Sequence, residues 1–222
     1  MATLNSTRDG YITGQSNATF STARTTVGTG SATESSSSSS YIAIQFFDGR
    51  GANRFTRLFA HFDTSGISGS VSDVTLTIYG GSVTSTADVI VLKSTAFGGD
   101  GGTALATADF FDEIDYSTEY SAEYSTTWAT GANAIPLISA AQTDIQNDDN
   151  FTVAIVNHDA DYSNTDLGSS ESNTVDFSQH FVLTYTEAAA GYTHDVNSVA
   201  AASISKVNSV ATASIGKINS VD

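Results

Sequence analysis

The 222-residue chain carries 24 Asp and Glu against 8 Lys and Arg, which gives a formal net charge of -16 at pH 7. Nucleic acids and anionic membrane surfaces are bound mainly through Lys and Arg, so this balance excludes both as expected partners. The chain has no cysteine and therefore no disulfides, and its apolar runs are too short to cross a membrane.

Residues 1–187 are predicted to form an all-β domain. Short runs rich in β-branched and aromatic residues recur between Gly, Ser, Asp and Asn, which is typical of strands and turns. In one of them, Val74, Leu76 and Ile78 alternate with two threonines and a tyrosine, the pattern of a strand with one buried face. The predicted strands are Tyr41–Phe47, Arg57–Phe62, Val74–Tyr79, Asp88–Leu92, Phe151–Val156 and Phe181–Tyr185.

One short helix is predicted between the later strands. Ser139 followed by Gln142 matches a capping box at a helix start, and Ile138, Ala141 and Ile145 mark an apolar stripe. We expect this helix to end near residues 147–149.

The fold class expected from these elements is a two-sheet β-sandwich of the jelly-roll type with one short helix. The serine run at residues 35–40 and the glycine-rich segment 97–103 are predicted to be loops at the tips of this domain.

The chain ends in a repeat tail. After a linker at residues 188–194, residues 195–222 repeat with a period of eleven, so that the phrase at 196–199 recurs at 207–210 and 218–221. Such self-similarity is typical of stacked structural units.

Two conformations are compatible with this period. An eleven-residue repeat could form a right-handed helical coiled coil, and the apolar positions of the tail do fall on one helical face. The tail is nevertheless built from Val, Ile, Ser, Asn and Thr with Gly216 inside, which are mediocre or poor helix formers. Short strands are therefore favoured over helix.

We expect the tail to be ordered by other chains. The entropy lost when a segment of this length is ordered exceeds what its few apolar side chains and hydrogen bonds return on their own. The partners expected are other copies of the chain or different proteins. The predicted assembly interface comprises Val196, Val199, Ile204, Val207, Val210, Ile215, Ile218 and Val221.

Aromatic residues recur every four positions in the segment YSTEYSAEYSTTW. Tyr116, Tyr120, Tyr124 and Trp128 are expected to lie on one face, whether the segment is a strand or a helix. Such a row could pack against the sandwich core, stack on the sugar rings of a glycan, or form a subunit interface.

No catalytic motif is present in the sequence, and a non-enzymatic protein is expected. The four histidines are scattered, and His61 lies within a predicted strand, where we expect an ordinary sheet residue with satisfied hydrogen bonds. Arg50, Arg54 and Arg57 form a basic cluster that is expected to hold internal or intersubunit salt bridges.

Calcium is the metal that the acidic turns would suit, because hard cations prefer oxygen ligands. The turns at 148–150 and 157–161 supply such oxygens, but neither has the spacing of a calcium-binding loop. We therefore expect solvated turn carboxylates, and no metal or cofactor is predicted.

The body of the chain resembles jelly-roll domains of the DNRLRE type. The residues that carry the resemblance are Thr7–Ile12, Arg57–Asp63, Val71–Tyr79 and Trp128 ahead of the short helix. The resemblance implies a carbohydrate-binding or surface-exposed module. A carbohydrate-binding module that recognises a host surface glycan is therefore kept as an alternative function.

The tail resembles C-terminal repeats in structural proteins of tailed phages, in which a β domain is followed by Val-Asn-(Ser/Gly)-Val and Ile-(Gly/Ala/Ser)-Lys units. This resemblance implies a virion component assembled in the cytoplasm of a bacterial host and exposed on the particle. It would be a tail-fibre or appendage subunit or a capsid decoration protein, bound to its own copies or to other virion proteins. The start of the chain lacks the features of a signal peptide, in agreement with this expectation. An extracellular filament or adhesin subunit is the further alternative.

Overall fold

The computed structural model describes residues 1–17, 19–34, 41–49, 52–81, 87–125, 128–188, 206–207 and 210–211. The predicted serine loop at 35–40 lies outside the described residues. The strands are β1 Ala2–Asn5, β2 Arg8–Thr13, β3 Ser31–Glu34, β4 Tyr41–Gly49, β5 Ala52–Asp63, β6 Val71–Gly80, β7 Val89–Ser94, β8 Ile114–Glu119, β9 Gly131–Pro136, β10 Asn150–Asn157, β11 Glu171–Asp176, β12 Val182–Glu187, β13 Lys206–Val207 and β14 Val210–Ala211. The helices are α1 Phe20–Thr25 and α2 Ser139–Asn147.

The first twelve strands form one continuous antiparallel sheet that folds onto itself. Its main path runs β1-β12-β6-β11-β4-β5-β10-β7-β8, while β9 pairs with β6, and β2 pairs with β5 and β3. The residues after β8 connect the two halves, because Tyr124 bridges to Val89 of β7 and Ser121 bridges to Leu137 just after β9. The strands thereby close into two facing layers, and the predicted all-β sandwich is confirmed.

The core consists of two clusters on opposite faces of the central strands. In β5, Leu58 and Phe62 belong to a first cluster that also draws on β6, β9 and β12, whereas Phe55 and Phe59 belong to a second cluster. Alternate side chains of a strand point to opposite faces, so both faces of β5 are covered. This explains why β5, β7 and β10 are buried along nearly their whole length.

Short helical segments cover the second cluster. The structure adds α1 to the single predicted helix, and Ala23 of α1 is fully buried there. Phe97 and Phe110, on two 3-10 turns, and Ala160, on a π-helical turn at His158–Tyr162, complete the cover. Among the described residues, no helix has the length and apolar character that a membrane span needs.

The helix α2 lies where the sequence predicts it, but its start differs. Ile138 occupies the N-cap position and no side chain caps the helix, so the predicted capping box of Ser139 and Gln142 is not formed. The cause is a shift of one residue, because Ser139 is already helical and its carbonyl accepts a hydrogen bond from Thr143. The helix ends at Asn147 as predicted.

The described part of the repeat tail is a short hairpin. Lys206–Val207 pairs antiparallel with Val210–Ala211, with Val207 opposite Val210. At these four residues the tail is extended, in agreement with the strand interpretation. The linker from residue 189 onward and the other predicted interface positions lie outside the described residues; these are Val196, Val199, Ile204, Ile215, Ile218 and Val221.

Candidate functional site

The four aromatic residues do not form one row. Tyr120 and Trp128 are 2% exposed and belong to the first core cluster, where the Tyr120 ring lies 5.0 Å from that of Phe151. Tyr116 lies instead beside the second cluster, with its ring 5.2 Å from Phe111. The prediction of a common face fails because the pairing of β7 and β8 shifts register at Leu92, so a four-residue spacing no longer returns to the same face.

Tyr124 is the member of the four that lines an open surface groove. Its half-buried ring meets Trp128 edge-on at 6.4 Å. The four rings therefore cannot form one glycan-binding surface, because Tyr120 and Trp128 are buried in the first core cluster.

The groove lies between two chain segments that diverge. Residues 121–125 and the segment that follows β9 meet at the Ser121–Leu137 bridge and at the hydrogen bond from the Ile138 amide to the Tyr120 carbonyl. Beyond that point they separate and leave an open cavity of about 520 Å³. Its walls are Ala122, Glu123, Tyr124 and Ser125 on one side and Ala134, Ile135, Pro136, Leu137 and Ile138 on the other.

Ile138 makes the groove apolar at its surface. Its side chain is 38% exposed. In the part of the chain that the structure describes, Met1 and Ile138 are the exposed large hydrophobic residues. Ile138 was predicted to belong to the buried stripe of α2, but as the N-cap residue it lies outside that stripe, while Ala141 and Ile145 are fully buried.

Carboxylates crowd one rim of the groove. Asp88 is hydrogen-bonded to Glu123, and His158 Nδ1 lies 2.9 Å from Asp159 and 3.8 Å from Glu123. Burial and this hydrogen bond raise the pKa of the Asp88 carboxyl, and the negative charges of Asp159 and Glu171 add to the rise. The rim is therefore a place where an added positive charge would be stabilised.

The metal-ligating groups at this rim are those of Glu123, His158 and Asp159, whose ligand atoms lie within 4.8 Å of one another. His158 and Asp159 come from the predicted acidic turn at 157–161, whereas Glu123 does not. Asp161 of the same turn is buried and paired with Arg57, so that turn does not act as one ligand loop.

Arg57 and Asp161 form an ion pair in the second core cluster. Arg57 is 0% exposed, and its Nε and Nη2 atoms donate to the two carboxylate oxygens of Asp161 at 2.6 and 2.9 Å. The guanidinium also lies 4.0 Å from the centre of the Phe110 ring, and Arg24 approaches the same carboxylate at 3.4 Å. The predicted internal salt bridge of Arg57 is thus present.

The other two members of the predicted basic cluster differ. Arg54 donates to the Gln45 side chain at 3.1 Å and lies over the Phe47 ring. Arg50 lies outside the described residues.

His61 is a buried sheet residue, as predicted. Its Nδ1 atom lies 2.6 Å from the Thr7 hydroxyl and its Nε2 atom 3.2 Å from the Asn150 side-chain oxygen. Burial lowers the pKa of His61 below its ordinary value of 6.5, although the hydrogen bond to Asn150 offsets part of the change. Burial thereby favours the neutral form of the ring in the folded protein.

We expect the burial of His61 to make stability depend on pH. Below about pH 6.5 the unfolded chain binds a proton at this residue that the folded protein resists, so the free energy of unfolding falls as the pH drops. Urea unfolding of the wild type and of His61→Gln between pH 7.5 and 5.5 measures the effect, and the variant should show the smaller decrease. His180→Gln is the comparison with a histidine that is not buried, since that side chain is 65% exposed and contacts Asp9 at 3.4 Å. Equal decreases in the wild type and His61→Gln would contradict the assignment.

A comparison with protein-family models matched none of them, and a search of curated proteins gave no significant match.

Proposed function

We propose that this protein is a non-enzymatic structural component of a phage virion, either a tail-fibre or appendage subunit or a capsid decoration protein. The β-sandwich is the displayed part, and the repeat tail attaches it to its own copies or to other virion proteins. Assembly takes place in the cytoplasm of the bacterial host, and the finished particle exposes the sandwich.

The observation that carries this proposal is the tail. In the described part of the tail, two-residue strands pair as a hairpin, Lys206–Val207 with Val210–Ala211. An isolated two-stranded hairpin is at best marginally stable in water, and this one is shorter than typical strands. A segment that repeats such a unit gains stable order only when further strands or an apolar surface cover it, which is the behaviour expected of an attachment segment.

Glycan recognition is supported less well. Of the four aromatic rings that favoured it, two are core residues, and Tyr124 alone borders the groove. A filament or adhesin subunit would use the tail in the same way as a virion protein, so recovery of the protein in purified particles separates the two.

Truncation after Ala188 is expected to leave a folded body that no longer enters particles. Every member of the two core clusters lies between Ala2 and Tyr185, so the truncation removes none of them. The thermal midpoint of the 1–188 protein should match that of the full chain, whereas its amount in density-purified particles should fall at least tenfold.

The matched control keeps the tail composition and scrambles its order, which removes the eleven-residue period. It should fail to assemble like the truncated protein. Particles that incorporate the 1–188 protein as well as the full chain would overturn the proposal.

A further inference from the structure

The groove at Ile138 has the geometry of a site for an added extended segment. The outer edge of β9 faces residues 122–125, and apart from the bridge at Leu137 no described strand pairs with that edge. An unpaired strand edge offers backbone donors and acceptors to a new strand. The apolar side chains of Tyr124, Pro136 and Ile138 line the same space.

The acidic rim of the groove favours a bound segment that carries a positive charge. Glu123 borders the groove, and a carboxylate oxygen of Glu123 lies within 4.8 Å of one of Asp159. A segment that fits should therefore combine apolar side chains with a cation.

The tail contains a sequence of this kind twice. Ile204-Ser205-Lys206-Val207 and Ile215-Gly216-Lys217-Ile218 each place one lysine between branched apolar residues, and these two lysines are two of the three in the whole chain. Four extended residues span roughly 13 Å, close to the length of the wall from Ala134 to Ile138. Lys206–Val207 is already extended in the structure.

We propose that the groove at Ile138 binds the Ile-Xaa-Lys-(Val/Ile) element from the tail of a second copy of the chain. The element adds to the edge of β9, its apolar side chains cover Ile138 and Tyr124, and its lysine pairs with Glu123. This inference rests on the proposed function and names the partner of the tail.

The proposed attachment role directs the element to a second copy. The described part of each body has one groove that exposes a large apolar side chain. An element that filled the groove of its own chain would leave no groove for a neighbour, so a tail that joins copies has to place its element in the groove of a second copy. Repetition of this arrangement links copies in a chain or a closed ring.

A charge exchange in the full-length protein tests the contact. Association is measured by light scattering coupled to size exclusion over a range of concentrations. Glu123→Lys and, separately, the double variant Lys206→Glu/Lys217→Glu should each weaken self-association at least tenfold. The triple variant that combines them should recover most of the loss, because the paired charges are then exchanged. Ile138→Asp should weaken association without recovery.

The matched control is Asp112→Lys, which makes the same change of charge at an exposed residue that does not line the groove. It should associate like the wild type. All variants should keep a single cooperative thermal transition, since the side chains of Glu123 and Ile138 are exposed and neither belongs to the core clusters.

Three results would overturn the inference. Glu123→Lys could associate like the wild type, or the triple variant could show no recovery. A full-length protein that stays monomeric at all concentrations, whether or not its tail resists proteolysis, would exclude a second copy as the occupant. If the 1–188 truncation abolishes incorporation into particles while the groove variants do not, the tail still anchors the protein and only its assignment to the groove fails.

Discussion

Replacement of Asp161 by Ala is expected to lower the free energy of unfolding by about 3–5 kcal/mol, because it leaves a buried positive charge without its partner. Arg57 has no exposed surface and bonds both oxygens of this carboxylate. Arg24 lies 3.4 Å from the same carboxylate, and the Tyr116 hydroxyl donates to it at 3.0 Å. The substitution thus removes one anion that serves two guanidinium groups and a buried hydroxyl.

Urea unfolding followed by far-ultraviolet circular dichroism measures this loss. The matched control is Arg8→Ala, which breaks the partly exposed ion pair of Arg8 and Glu34 at 2.9 Å. Exposed pairs contribute only about 0–1 kcal/mol, so the control should stay close to the wild type. Similar losses in the two variants would show that burial does not set the strength of the Asp161 contacts.

This ion pair also shows what the sequence can and cannot predict. An arginine in the middle of an apolar strand has to be paired, so a salt bridge at Arg57 was predictable. The partner of Arg57 was not predictable, because Asp161 is 104 residues away in the sequence. Asp161 also lies on a π-helical turn, which no local sequence pattern indicates. All six predicted strands are present, since alternation and β-branched content are local properties.

The groove was beyond prediction for a similar reason. It exists because residues 121–125 and β9 meet at one bridge and then diverge, and such divergence depends on the pairing of distant strands. Ile138 was visible in the sequence as an apolar residue, but its exposure depends on a helix start that differs by one position from the predicted capping box. The split of the aromatic row arises in the same way from one register shift between β7 and β8.

Replacement of Trp128 by Ala should lower the free energy of unfolding by about 3–5 kcal/mol, the usual cost of removing a large buried aromatic side chain. The indole is 2% exposed, and its N–H donates to the Thr174 carbonyl at 2.9 Å. The surrounding backbone leaves little freedom to refill the space, since a Cβ at Gly80 would lie 2.6 Å from the indole nitrogen and 2.1 Å from the Ala129 carbonyl oxygen. The cavity should therefore persist and keep the cost high.

Tyr124→Ala provides the comparison within the same aromatic segment. Tyr124 is half-buried at the groove, so its removal should cost less stability than that of Trp128 but should weaken self-association of the full chain. Trp128→Phe keeps a ring in the core, and the Thr174 carbonyl retains the hydrogen bond from the Gly81 amide, so this variant should fall between the wild type and Trp128→Ala. Urea unfolding by circular dichroism ranks the three. If Trp128→Ala were as stable as the wild type while Tyr124→Ala were not, the indole would be a surface contact and the division into a core pair and a groove residue would be wrong.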